Sequence, residues 1–103
     1  MNNITGIITT LNEEHNIAEC IRSLRLICNE IIVVDSLSHD NTTAIAEQEG
    51  AIVLTQKYLG DGIQKNYALD HASNNWIFSL DADERISPEL ADIINALPLD
   101  STP

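Results

Sequence analysis

The sequence predicts an α/β fold, a three-layer, doubly wound and mostly parallel sheet with helices on both faces. Four short apolar runs alternate with four helical patterns, which is the order expected of βαβ units. The runs are continuous and rich in β-branched residues, as is typical of strands buried on both faces. The length of 103 residues allows one small hydrophobic core, so we expect a single domain.

The first strand and the first helix are predicted from the N-terminal quarter of the chain. The strand is the apolar run at 4–8. Asn12 is a candidate N-cap for the helix, with Glu13 and Glu14 in its electropositive first turn. Apolar residues then recur at helical spacing and form one face: Ile17, Ile21, Leu24 and Cys28.

The second and third strands are the β-branched runs at 31–34 and 51–54. Between them, Asp40 is placed to cap a helix that extends to about Gln48. Gly50 follows this helix at the position where a helix stop favours a left-handed residue.

The third helix is predicted to open at 60–62 (Gly-Asp-Gly), and the fourth strand is the run at 76–80. The apolar positions of the third helix are Ile63, Tyr67, Ala68 or Leu69, and Ala72. Ser87 should cap a last helix that has Pro88 at its first position. The apolar stripe of this helix is Leu90, Ile93, Ile94 and Leu97. We expect residues 98–103 to form a frayed end.

The composition limits the partners that the chain can have. Five Lys and Arg residues against 16 Asp and Glu give a formal net charge of −11. A chain this acidic is repelled by nucleic acid and by an anionic membrane surface. No apolar run reaches the roughly 18 residues of a membrane span, and we expect no targeting signal. Cys20 and Cys28, about 12 Å apart on one predicted helix, cannot form a disulfide, which favours buried thiols and a cytoplasmic location.

Asp81-Ala82-Asp83, directly after the fourth strand, is the motif most indicative of chemistry. Two carboxylates at this spacing offer hard oxygen ligands and leave coordination positions open, which suits Mg²⁺ or Mn²⁺ on substrate phosphates. A solvated turn is the alternative interpretation. An EF-hand loop is excluded because Ile86 and Asp92 occupy the positions that require Gly and Glu.

Two further residues each have two interpretations. Asp35 ends the second strand, where its carboxylate can contact a ribose or a base, or can cap the following loop. Lys65 on the third helix can offset phosphate charge, or can be an ordinary exposed lysine. Gly-rich phosphate loops are absent after the first strand, which argues against nicotinamide enzymes and P-loop hydrolases. A phosphoacceptor domain would need an aspartate at the end of the third strand, where the chain has Thr55.

Four segments occur together and in order: 8–14 (ITTLNEE), 30–36 (EIIVVDS), 64–69 (QKNYAL) and 76–84 (WIFSLDADE). In this combination the chain resembles inverting glycosyltransferases of family 2, and within them the branch that builds lipopolysaccharide core and related surface glycans. The resemblance implies a GT-A (nucleotide-diphospho-sugar transferase) fold, of which residues 1–103 would be the N-terminal, donor-binding part. It also implies a nucleotide-sugar donor, most often a UDP-sugar, a divalent metal (Mg or Mn), and a glycan or lipid-linked acceptor. The implied location is cytoplasmic, including the inner face of the cytoplasmic membrane.

The resemblance also implies site residues. Those for the nucleotide-sugar are Thr9, Leu11, Asn12, Glu13, Asp35, Lys65 and Asp81. Asp83, with Asp81, would hold the metal on the diphosphate. Leu11 departs from members that place an aromatic residue there to stack on the base. The family's catalytic base lies in a later part of the domain, so no catalytic residue is assigned in this chain.

Two expectations follow for a partial domain. An uncovered sheet edge is a template for pairing, so we expect the chain to self-associate, most simply as a dimer. The alternative is that the 103 residues form a complete non-catalytic module that binds a nucleotide or a protein.

Overall fold

The computed structural model describes residues 3–99 and contains the eight elements in the predicted order. They are β1 (Ile4–Thr10), α1 (Ile17–Leu24), β2 (Glu30–Asp35), α2 (Thr42–Gln48), β3 (Ile52–Thr55), α3 (Asp61–Leu69), β4 (Trp76–Asp81) and α4 (Pro88–Asn95). Each predicted strand is present, and all four extend one or two residues further into the polar segment that follows.

The four strands form one parallel sheet in the order β3-β2-β1-β4. The chain moves outward from β1 through β2 to β3, and then returns to place β4 on the free side of β1. The strand order therefore reverses at β1, which is where ligands bind in open α/β sheets. The predicted doubly wound fold is confirmed.

The alternation of side chains along the strands divides the core into two layers. Ile8 and Val33 belong to the larger cluster, which packs against Ile21 of α1, Ala46 of α2 and Ile94 of α4. The smaller cluster consists of Ile7, Ile32, Val34 and Ala68, the last of which lies on α3. Three helices therefore cover one face of the sheet, and α3 covers the other.

The predicted start of the first helix is wrong, because α1 begins at Ile17 with Asn16 in the N-cap position. Asn12 has a left-handed backbone (φ 54°), and its side-chain oxygen accepts a hydrogen bond from the His39 amide at 2.8 Å. Asn12 therefore joins two loops instead of capping a helix.

The prediction of two buried free thiols is confirmed, and the placement of both cysteines on one helix is wrong. Both thiols are free and buried, and burial raises the pKa of Cys20 to about 11 and that of Cys28 to about 12. Cys28 does not lie on α1, which ends at Leu24. Its amide donates to the Leu24 carbonyl at 2.8 Å, so the turn after the helix continues the apolar face.

Asp40 caps α2 as predicted, but it does so from the position before the N-cap, which Asn41 occupies. Asp40 Oδ1 accepts hydrogen bonds from the Thr42 amide at 3.0 Å and from the Thr42 hydroxyl, and these bonds lower the pKa of the carboxyl. Gly50 has the predicted left-handed backbone, with φ 85°.

The apolar faces predicted for the last two helices are partly wrong. On α3, Ile63 is 51% exposed, whereas the polar Gln64 is fully buried. On α4, Ser87 caps the helix as predicted by accepting from the Leu90 amide at 3.1 Å. However, only Ala91 and Ile94 of this helix are buried, because α4 packs beside an edge strand and buries one narrow row of side chains.

That edge strand is β4, which pairs with β1 alone among the described residues. An apolar pocket of about 210 Å³ lies beside it, lined by Ile4, Trp76, Ile77, Phe78, Ile94, Leu97 and Leu99. Leu99 is half-buried and packs against the larger core cluster, so the expected fraying of 98–103 is wrong at this residue. Residues 100–103 of that prediction lie outside the described residues.

We expect the substitution Gly6→Ala to destabilise the fold. A Cβ at this position would lie 3.0 Å from Leu24 Cδ1 and 3.1 Å from Cys28 Sγ, which is closer than ordinary van der Waals contact. Such overpacking costs about 1–3 kcal/mol, which urea unfolding monitored by circular dichroism would measure.

Gly62→Ala is the matched control. Apart from its chain neighbours and the backbone of its own helix, no heavy atom lies within 4 Å of a Cβ there, and the residue is helical, so alanine should stabilise by roughly 0.5–1 kcal/mol. An unchanged stability in Gly6→Ala would contradict the close packing of α1 on β1.

Candidate functional site

The strand register brings three strand ends together at one edge of the sheet. Asp35, at the end of β2, lies opposite Thr10 of β1, and Asp81, at the end of β4, lies opposite Thr9. Neighbouring strands are separated by roughly 4.8 Å, so acidic groups from β2 and β4 flank the end of β1. The sequence predicted this convergence from the parallel order alone.

The two aspartates lie on opposite faces of the sheet. Asp35 shares its side of β2 with Val33 of the larger cluster, whereas Asp81 shares its side of β4 with Ile77 of the α3 cluster. Thr9 shares the α3 face, because it lies two residues after Ile7. Thr9 and Asp81 are therefore neighbours on the side of the sheet that carries α3.

Asp35 is fully buried, and its carboxylate accepts three hydrogen bonds. The Thr10 hydroxyl donates at 2.7 Å, the Ser38 amide at 2.7 Å and the Ser38 hydroxyl at 2.6 Å. Such bonds to a carboxylate are short and strong, and they offset the cost of burying its charge. This is the arrangement of a loop cap, and contact of Asp35 with a base stays a prediction.

The loop after β1 is fastened to the loop after β2. The Asn12 amide donates to Ser38 Oγ at 2.7 Å, and the Glu13 amide donates to Thr42 Oγ1 at 2.9 Å. The Glu13 carboxylate accepts from the Asn16 side chain at 3.1 Å. Leu37 has a left-handed backbone (φ 65°), a conformation that costs a non-glycine residue roughly 1–2 kcal/mol. The surrounding hydrogen bonds hold this loop in its strained shape.

The Asp81–Glu84 turn is held by a reciprocal pair of hydrogen bonds. The Asp81 amide donates to Glu84 Oε1 at 2.7 Å, and the Glu84 amide donates to the Asp81 carbonyl at 2.9 Å. Arg85 donates to the Ala82 carbonyl at 2.8 Å. Ala82 is buried, so the small residue between the two aspartates anchors the turn to the core. Sequence reasoning missed Glu84 and Arg85, whose roles depend on the shape of the turn.

The carboxylates of Asp81 and Asp83 remain available for a ligand. Both residues are exposed, and no hydrogen bond or ion pair between residues 3–99 engages either side chain. Within the same range, no group of three or more His, Cys, Asp and Glu side chains could hold a metal ion. Mg²⁺ commonly takes one or two carboxylates from a protein and completes its shell with phosphate oxygens and water, so a larger cluster of ligands is not needed for a metal that is held on a diphosphate.

Lys65 lies half-buried on α3, on the same face of the sheet as Thr9 and Asp81. In the described part of the chain the three arginines form ion pairs with Glu49 or Glu19, and no ion pair involves Lys65. This cation is free to face an anionic ligand.

Gln64, next to Lys65, is a buried polar residue whose role the sequence did not reveal. Its Nε2 donates to Ser36 Oγ at 3.2 Å and to the Gln56 carbonyl at 3.1 Å, and its Oε1 accepts from Gln56 Nε2 at 2.8 Å. Gln64 thus connects α3 to the segments after β2 and β3. A buried glutamine fits here because all of these polar groups are paired.

A pocket of about 260 Å³ lies at the same strand edge, lined by Thr9, Thr10, Leu11, Ser36 and Tyr58. Two of these residues, Thr9 and Leu11, were predicted site residues. A larger cavity of about 560 Å³ lies near the strand starts, lined by residues that include Arg25, Glu30 and Gly50. We assign the site by the convergence of side chains at the strand ends, and not by cavity size.

The described helices are all too short or too polar to cross a bilayer.

Comparisons with known proteins relate this chain to glycosyltransferases. The family model for glycosyl transferase family 2 matches residues 5–99. An uncharacterized glycosyltransferase of Rickettsia felis is 48% identical over 94 residues, covering 91% of this chain and 33% of the relative. The lipopolysaccharide core biosynthesis glycosyltransferase LpsC of Rhizobium meliloti is 35% identical, covering 91% of this chain and 36% of the relative.

A solved structure supports the same relationship. Glucosyl-3-phosphoglycerate synthase of Mycobacterium tuberculosis, in complex with Mn²⁺, UDP and glucosyl-3-phosphoglycerate, superposes with a TM-score of 0.68 and 28% identity. The match covers 78% of this chain and 33% of that one. This chain spans about a third of the length of the relatives that it matches. It has a GT-A type fold, and it belongs to glycosyltransferase family 2.

Proposed function

We propose that this chain forms the donor-binding part of an inverting glycosyltransferase that takes a nucleotide-diphospho-sugar, most simply a UDP-sugar. One observation carries the proposal. The end of β1 lies beside the end of β4, where Asp81 and Asp83 have carboxylates available for a ligand on a turn fixed by Glu84. The pocket at Thr9 and Leu11 lies at the same edge of the sheet.

The relatives support the class of donor and the metal. The mycobacterial synthase binds Mn²⁺ and UDP in one structure, and Mg²⁺ and UDP in another. In this chain we assign the metal to Asp83, with Asp81. A divalent ion bound there would neutralise the negative charge that develops on the departing diphosphate.

The other residues of the site supply a positive charge for the diphosphate and a loop for the nucleotide. Lys65 supplies a positive charge for the diphosphate, on the same face as Asp81. Thr9, Asn12 and Glu13 belong to the loop that we expect to contact the nucleotide, and Asp35 keeps that loop in place through Thr10 and Ser38. We assign no catalytic base within the chain, since none of its carboxylates matches the base of the family.

The acceptor that we propose is a glycan or a lipid-linked sugar. LpsC, which acts in lipopolysaccharide core biosynthesis, supports this class. Both cysteines are free thiols, which favours a reducing compartment, so we propose a cytoplasmic site, including the inner face of the cytoplasmic membrane.

We expect UDP with Mn²⁺ to raise the melting temperature of the chain, and the substitution Asp83→Asn to remove most of that increase. A ligand at a hundred times its Kd stabilises by about 2.7 kcal/mol, which corresponds to a shift of many degrees in a domain of this size. Differential scanning fluorimetry with UDP and Mn²⁺ or Mg²⁺ would measure the shift.

Asp92→Asn, on the exposed side of α4, is the matched control and should respond to UDP like the original chain. The absence of any shift in the original chain at saturating UDP and metal would count decisively against donor binding.

We also propose that the chain self-associates through the exposed edge of β4, most simply as a dimer. Among the described residues β4 pairs with β1 alone, an apolar pocket lies beside it, and Leu97 in that pocket is 45% exposed. Leu97→Lys should lower the mass measured by multi-angle light scattering towards that of a monomer, because a charge there opposes edge pairing.

The comparison variant is Leu59→Lys, which places the same charge on a residue that is 54% exposed and does not line the β4 pocket. A monomeric original chain at high concentration would contradict the dimer.

A further inference from the structure

We infer that Tyr58 is the residue on which the nucleobase of the donor stacks. This inference rests on the proposed function and identifies the part of the site that reads the base. The sequence placed Leu11 where other members of the family have an aromatic residue, which left the base without a stacking partner. The structure brings a tyrosine from a different loop to the same pocket.

The pocket has the composition of a base-binding site. Leu11 and Tyr58 are 54% and 55% exposed and supply its apolar surface. Thr9, Thr10 and Ser36 supply hydroxyl and backbone groups that can meet the polar edge of a base. Bases stack readily on aromatic side chains, and this stacking contributes to binding independently of any contact with the phosphates.

Tyr58 is oriented by a hydrogen bond to the start of α3 and by the anchored segment before it. Its hydroxyl donates to Asp61 Oδ1 at 2.9 Å, at the first residue of α3, and this bond raises the pKa of the hydroxyl. Gln56, two residues earlier, is bound to the buried Gln64 through its side chain and its carbonyl. A side chain that is already ordered loses little entropy on binding, which favours its use as a recognition surface.

The position of Tyr58 also agrees with the rest of the site. The pocket contains Thr9, which lies opposite Asp81 in the sheet, so a base at Tyr58 would be close to the turn to which we assign the metal and the diphosphate. Leu11 in this chain is therefore one apolar side of the pocket, and the aromatic contact comes from the segment between β3 and α3.

The test compares the binding of UDP with that of inorganic pyrophosphate, which has no base, both in the presence of Mg²⁺. We expect Tyr58→Ala to weaken UDP about ten-fold in isothermal titration calorimetry and to leave pyrophosphate unchanged. Tyr58→Phe keeps the ring and loses only the bond to Asp61, so its affinity for UDP should stay within about three-fold of the original. Leu59→Ala, at the neighbouring exposed residue, should change neither ligand.

A second measurement needs no substitution. The chain has two tyrosines, so the ring signals of Tyr58 can be assigned, and nuclear Overhauser contacts from them to H5 and H6 of bound UDP are expected. Normal UDP affinity in Tyr58→Ala, an equal loss for UDP and pyrophosphate, or the absence of these contacts would overturn the role of Tyr58 while leaving donor binding intact. Failure of the original chain to bind either ligand would overturn the proposed function as well.

Discussion

The pairing of β1 with β2 on one side and with β4 on the other is the constraint on which both the core and the site depend. Ile7 and Ile8, adjacent on β1, are at most 1% exposed and belong to different core clusters, so this strand contributes to both layers. The same pairing sets the register that places Asp35 and Asp81 beside the end of β1. A change of register by one residue would exchange the two faces and separate Thr9 from Asp81.

The chain uses its acidic residues at the strand ends in two different ways. Asp35 is buried, and three hydrogen bonds hold it as part of the scaffold. Asp81 and Asp83 are exposed on a turn whose backbone is satisfied by Glu84 and Arg85, so their carboxylates are available to a ligand. Part of the net charge of −11 is therefore structural, and another part is concentrated where a metal ion and a diphosphate would balance it.

Much of the fold could be predicted from the sequence, because the β-branched runs and the parallel order determine which chain ends meet. The helix faces were harder to predict. Ile63 has the right spacing for a core residue but is exposed, since the buried positions of α3 are those of Gln64 and Ala68. Asn12 has the chemistry of an N-cap, yet its left-handed backbone directs it to His39. Periodicity describes a helix in isolation, and the neighbours of that helix decide which of its sides is buried.

The same limit applies to the site, and it explains why Tyr58 was missed. Thr9, Asp35 and Asp81 could be predicted because their positions follow from the strands that they end. Tyr58 lies on a loop, and Gln64 on α3 pairs with the loop residues Ser36 and Gln56, and no spacing rule determines the conformation of loops. Their location on the α3 side has a physical basis: that face is covered by one helix among the described residues, whereas three helices close the other. Ser79, on the α3 face of β4, is exposed, so this side leaves room for a ligand beside a rigid sheet.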